Sequence, residues 1–153
     1  MRKLLVSLIT VVALGAGVAS AQGAYWAGVS AGYPGASLHF GIEDIAPDFS
    51  VRINAGYNYI GTGGFSLGVD GLYGLPVDLG DTPIDVYAGG GVGIGVGGGA
   101  LGLGVNLFVG GEFNLATAGL PEGGVFLEVG PSIAVIPNFG FGVLGRLGFN
   151  YHF

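Results

Sequence analysis

The chain has 153 residues, of which 35 are glycine, none is cysteine and only 9% are charged, with a mean hydropathy of +0.70. Such a chain is too apolar and glycine-rich for an ordinary soluble domain, and without cysteine it has no disulfide staple, thiolate metal site or lipoprotein anchor. Arg2 and Lys3 fall in the first 21 residues; beyond them Arg52 and Arg146 stand against ten carboxylates, a formal −8, which excludes nucleic-acid binding because phosphate contact needs clustered Lys and Arg.

The N-terminus reads as a cleavable secretory signal over residues 1–21. Met1-Arg2-Lys3 is a basic head, Leu4 to Val18 an apolar stretch, and Ala19-Ser20-Ala21 a small-x-small exit. The stretch is short for an uncleaved anchor. No later run approaches the roughly 20 successive apolar residues that a spanning helix needs, so the expected mature domain, residues 22–153, is not a helical membrane protein.

From Gln22 onward apolar residues recur with a period of two, the spacing of strands. The first predicted strand, Tyr25 to Tyr33, turns Val29 and Tyr33 to one face and Trp26, Gly28 and Ser30 to the other. A Pro34-Gly35 turn leads to Ala36 to Ile42, and the third strand, Phe49 to Tyr59, opposes Val51, Ile53 and Tyr57 to Arg52, Asn54 and Gly56. Gly61-Thr62-Gly63-Gly64 is a hairpin signal. Strand four covers Phe65 to Leu75 and strand five Ile84 to Val96, the most strictly alternating, with Val92, Ile94 and Val96 against Gly91, Gly93 and Gly95. Gly97-Gly98-Gly99 turns into strand six, Leu101 to Leu115, and strands seven and eight follow over Val125 to Val135 and Phe139 to Phe153.

One face of every strand is apolar with aromatics near its ends, and the other is glycine, amide and charge. That is the inverse of a soluble sheet and fits a wall with lipid outside and a polar lumen inside. Eight such strands make the smallest closed transmembrane barrel, closed because an open edge in hydrocarbon leaves backbone groups unpaired. The expected fold is therefore an all-β, antiparallel, up-and-down eight-stranded barrel. Inward glycine lets the wall curve and makes room for bulk from the opposite wall, with Trp26, Tyr87, Phe108, Phe126 and Leu144 at the inward positions. Pro131, mid-strand, predicts a bulge or break. Tyr25, Phe49, Tyr73, Phe113, Phe149, Tyr151 and Phe153 form one predicted girdle, and Tyr33, Tyr57, Tyr59, Phe65, Phe139 and Phe141 the other. The glycine run near Gly89 to Gly97 is no phosphate loop, since nothing helical follows it.

The last residues, Arg146-Leu147-Gly148-Phe149-Asn150-Tyr151-His152-Phe153, resemble the C-terminal assembly signal of bacterial outer-membrane barrels: a polar residue, a glycine two places on, an aromatic at the third-last position and a terminal Phe. With the signal peptide, strand count and girdles, residues 22–153 resemble the small eight-stranded barrels of the OmpA transmembrane-domain, OmpX and OmpW kind. The resemblance implies integral placement in outer-membrane lipid after Sec-type export, with Arg146, Gly148, Tyr151 and Phe153 read by the barrel-assembly machinery and the chain escorted by periplasmic chaperones. It implies no cofactor, no wall-binding domain and no wall-tethering role. With the N-terminus periplasmic, the turns Glu43 to Asp48, Asp78 to Pro83 and Ala116 to Gly124 hold most carboxylates on that side, and the other four hairpins are uncharged.

Antiparallel partners sum to a constant, so hairpins register the lumen charges. Arg146 falls opposite or diagonal to Glu128, Glu112 beside Glu128, and Asp70 beside Asn54 and diagonal to Arg52. Arg52, Asp70, Glu112, Glu128 and Arg146 form the expected lumen cluster with Arg146 as hub. Two functions remain open: a structural or interaction barrel plugged by these salt bridges, and a narrow porin or carrier in which they are a charged constriction. Enzyme chemistry is not expected, since His39 and His152 are placed at opposite heights and Ser30 and Ser37 lack an acid to complete a triad.

Overall fold

The computed structural model describes residues 24–59 and 63–153. The expected signal segment and the Gly61-Thr62 part of a predicted turn lie outside the described residues. Eight antiparallel strands follow in chain order: β1 (Tyr25–Tyr33), β2 (Gly35–Ala46), β3 (Phe49–Asn58), β4 (Gly64–Gly74), β5 (Ile84–Gly97), β6 (Ala100–Asn114), β7 (Gly123–Ile136) and β8 (Gly140–His152). β8 pairs back onto β1, from Trp26 opposite His152 to Tyr33 opposite Gly145, and the barrel is closed. Closure leaves no edge strand, the arrangement a wall of strands needs where water cannot satisfy its backbone.

The period-two pattern sorts the side chains as the alternation predicts. Leu67, Val92, Leu107, Leu127 and Leu147 point outward and exposed, and Phe141 reaches 77% exposure. The largest fully buried side chains are Arg52, Phe126 and Glu128, so two of the three carry charge. Polar groups inside and apolar groups outside invert the usual partition between core and surface. At the end where the barrel's own termini meet, the start of β1 and the end of β8, Tyr25 stacks with Phe40 and Phe153, and Phe153 with Tyr151. At the opposite, hairpin end, Tyr57 meets Phe65 and Phe139 meets Phe141 edge to face.

Two local features differ from expectation, and a third takes one of the two forms expected of it. β2 continues to Ala46, so the expected Glu43–Asp48 turn contracts to Pro47-Asp48; Asp44 and Asp48 take positive φ of 51° and 59°, a region Asp tolerates better than most residues. The connection after β6 contains a 3-10 turn, Ala116–Ala118, closed by Gly119 at φ 87°. Pro131 produces the break, one of its two expected outcomes, and no bulge. β7 pairs with β6 at Ser132 opposite Asn106 and again at Val129 opposite Val109, in one register, and the ladder skips Leu107 and Phe108 between them. A ring nitrogen without hydrogen cannot donate to that ladder. The register shift of this pair lies farther along, between Leu103 and Gly104.

Candidate functional site

The lumen is organised by a four-membered ring of charges. Register places Arg52 of β3 directly opposite Asp70 of β4, and Glu128 of β7 directly opposite Arg146 of β8. Across the lumen the pairs exchange partners: Arg52 reaches Glu128 at 2.8 Å and Arg146 reaches Asp70 at 3.0 Å, while Arg52 keeps Asp70 at 2.8 Å and Arg146 its bond to Glu128. Positive and negative groups thus alternate around a closed square. Tyr87 Oη donates to Glu128 at 2.7 Å, Asn54 Nδ2 donates to Asp70 at 2.9 Å, and the guanidinium groups lie over the rings of Phe108 and Phe126 at 5.1–5.8 Å. The Glu128 side chain is 0% exposed, that of Arg52 1% and that of Arg146 12%. Both arginines bond both carboxylates, so Arg146 shares the hub position expected of it alone with Arg52, which lies deeper.

An apolar cluster of Trp26, Leu72, Tyr87, Phe108 and Leu144, with Phe126 beside it, packs against the charges; Trp26, Leu72 and Phe126 lie on the termini side, and Leu144, two residues before Arg146 on β8, lies on the hairpin side. The five expected inward residues are all buried, and Leu72 joins them. Glycine accommodates this bulk, although from the neighbouring strand rather than the opposite wall. Trp26 pairs with Gly41, Tyr87 with Gly110, Phe108 with Gly89 and Phe126 with Gly148, and each ring lies where a Cβ on its glycine would stand. In a closed lumen the nearest free space for a ring is over the next strand, and a glycine there provides it.

Glu112 does not join the ring. It bonds His152 Nε2 at 2.6 Å and accepts from Asn150 Nδ2; His152 Nδ1 meets Glu43 at 2.6 Å, and Asn150 Oδ1 meets His39 Nε2 at 2.7 Å. Glu112 pairs with Phe126 and lies diagonal to Glu128, so its sequence position is close to expectation. Its carboxylate turns away because both guanidinium groups are already shared between Asp70 and Glu128, whereas His152 and Asn150 offer donors. The same chain of bonds corrects the heights of the histidines: His39 and Asn150 both pair with Gly28, and His152 lies two residues on along β8. Ser30 and Ser37 bond each other at 2.9 Å, and neither bonds a histidine. Among the described residues no three His, Cys, Asp or Glu side chains are grouped to hold a metal ion.

No protein-family model matches the sequence, and no curated protein does. Solved structures do. A major outer membrane protein from Thermus thermophilus aligns with 87% of this chain and 100% of its own at 16% identity, with a TM-score of 0.62. The N-terminal β-barrel domain of Pseudomonas aeruginosa OprF aligns with 86% of this chain and 100% of its own at 13% identity, with a TM-score of 0.52. The chain has the fold of the small outer-membrane barrels.

Within that barrel fold the hairpin half of the lumen is open. A cavity of about 370 Å³ is lined by residues of all eight strands, with Asp70 and Arg146 at its floor and Ser66, Asn106 and Ser132 on its wall. Asp70 and Arg146 belong to the expected lumen cluster, whereas no motif in the sequence marks Ser66, Asn106 and Ser132. The available signal is that glycine faces glycine there, Gly93 opposite Gly104 and Gly95 opposite Gly102, so no side chain from either strand fills the space.

Proposed function

We propose that the chain is an integral β-barrel of the bacterial outer membrane, exported by a Sec-type signal over residues 1–21, with a structural or interaction role and a lumen closed by the charged ring and its apolar layer. The observation that carries this reading is the saturation of the ring, in which each guanidinium bonds both carboxylates at near-complete burial. A solute passing the lumen would have to part these groups and leave charges unpaired in a low-dielectric space. Lipid placement is supported by the exposed apolar face and the aromatics at both ends. Planar-bilayer recording of the purified barrel should show no steady current; a steady ohmic current would overturn the closed-lumen reading.

Lipid exposure has its own test. Arg in place of Leu107, far from either strand end, is expected to cost about 2–4 kcal/mol and Arg in place of Phe65 about 0–1 kcal/mol, read by urea unfolding in vesicles. Equal costs at the two positions would place these side chains outside hydrocarbon.

Assembly is proposed to depend on Tyr151 and Phe153 as a signal for the barrel-assembly machinery. Phe153 also has a structural part: its backbone exchanges hydrogen bonds with Tyr25 at 2.8 and 3.1 Å. The two parts separate on comparing cells with the test tube. Phe153→Ala should abolish heat-modifiable protein in outer membranes yet refold in detergent; normal assembly in cells would refute the signal.

A further inference from the structure

We propose that the open hairpin half of the lumen is a binding well for a small uncharged polyol of about monosaccharide size. The proposal concerns the well alone and holds whether or not the lumen beneath conducts. At about 370 Å³ the cavity lies in the range of small-molecule pockets, roughly 300–1,000 Å³, and has room for roughly a dozen waters at their liquid volume. Three of the connections at its mouth are short: a single residue, Pro34, joins β1 to β2, Gly98-Gly99 joins β5 to β6, and residues 137–139 join β7 to β8.

The floor of the well has acceptors without donors. Asp70 Oδ2 takes hydrogen bonds from Arg52, Asn54 and Arg146, and among the described residues its second oxygen, Oδ1, takes none. Asn54 spends its amide nitrogen on Asp70, and its Oδ1 and that of Asn106 are unpartnered but covered, so Asp70 Oδ1 is the acceptor open to the well as the side chains stand. Asp70 Oδ1 and Asn106 Oδ1 converge over Gly91, close to where a Cβ there would stand. Buried acceptors of this kind are almost always matched by a donor in native structures. Turning the Asn106 amide over would bring its NH2 toward Asp70 and aim its oxygen at the well, so an acceptor would still await a donor.

Charge selects the class of donor. The ring beneath holds two arginines and two carboxylates, so the well has no formal charge with which to draw an ion. An ammonium would approach Arg146, and an anion would face the acceptor oxygens. An uncharged molecule with several hydroxyls meets neither penalty, and the Ser66 and Ser132 hydroxyls lining the wall can donate to it or accept from it. Space selects its size, because the volume is that of side chains missing from Gly93, Gly95, Gly102 and Gly104. A Cβ on Gly102 would meet nothing nearer than Ile136 O at 3.5 Å.

The test is amide chemical-shift mapping of the refolded barrel in a detergent without a sugar headgroup, titrated with D-glucose and sorbitol and, as ionic analogues, gluconate and glucosamine. Saturable shifts from glucose or sorbitol at Gly93, Gly95 and Asn106 are expected, with none there from the ionic analogues. Gly102→Leu, which fills the well, should abolish these shifts, and Asn106→Leu should weaken binding by about tenfold, the equivalent of one hydrogen bond. Outward Leu127→Ala should leave binding unchanged, and heat-modifiable migration confirms that each variant has folded. Absence of saturable shifts with either polyol, equal binding of the ionic analogues, or undiminished binding in folded Gly102→Leu would each overturn the proposal.

Discussion

The two halves of one lumen use the same residue for opposite ends. Toward the termini, Gly41, Gly89, Gly110 and Gly148 each lie beneath a ring from the paired position of the next strand. Toward the hairpins, Gly93 pairs with Gly104 and Gly95 with Gly102, and no ring lies over them. The first arrangement builds a packed layer, and the second builds a cavity. A glycine in a strand is therefore uninformative until its cross-strand partner is known: glycine opposite an aromatic is a socket, and glycine opposite glycine is a void.

The largest expected effect lies where the halves meet. Arg52→Ala removes the guanidinium that bonds both Asp70 and Glu128, and leaves two buried carboxylates sharing Arg146. Removing one side of a buried ion pair costs about 3–5 kcal/mol, because the remaining charge stays desolvated. Arg146→Ala should cost less, since that side chain also lines the open well, where water can enter. Urea unfolding in detergent compares the two. Equal costs would mean that water reaches both sides of the ring or neither, and the contrast between the halves would fail.

Much of this was legible in the sequence, and what was hidden follows one physical rule. Period-two alternation placed Trp26, Tyr87, Phe108, Phe126 and Leu144 inside, because a pleated strand has only two faces. Hairpin sums related β3 to β4 and β7 to β8, and so brought Arg52 near Asp70 and Glu128 near Arg146. They relate neighbouring strands only. The cross-lumen bonds, Arg52 to Glu128 and Arg146 to Asp70, join β3 to β7 and β8 to β4, which meet only after the barrel closes. Glu112 illustrates the other limit: its register was close, but the direction of its carboxylate depended on competition between His152 with Asn150 and guanidinium groups already shared between Asp70 and Glu128. The glycine sockets needed no closure to be seen, since Phe126 opposite Gly148 and Trp26 opposite Gly41 are neighbouring-strand pairs.

A smaller effect probes the packed half. Gly148→Ala sets a methyl group against the ring of Phe126 and the carbonyl oxygen of Val29, and Phe126 is fully buried, with little room to retreat. Overpacking of this kind costs about 1–3 kcal/mol. Phe126→Leu in the same chain should restore part of the loss by shortening the ring that collides. A loss that Phe126→Leu leaves unchanged would point to the Val29 carbonyl as the obstacle and weaken the socket description.

The smallest effect is the sharpest, because it changes sign. Gly102→Ala, on the open half, adds the same methyl group where the nearest neighbours are Ile136 O at 3.5 Å and Gly95 O at 3.8 Å, ordinary contact distances. Gly140→Ala meets nothing within 4 Å. Neither glycine has positive φ, so alanine fits both backbones without strain. Replacing such a glycine narrows the unfolded ensemble and stabilises a protein by about 0.4–1 kcal/mol. Both variants should thus raise the urea midpoint slightly while Gly148→Ala lowers it. If Gly102→Ala destabilises as much as Gly148→Ala, the hairpin half is packed in solution, by a shifted side chain or a tightened wall, and the well does not exist as described.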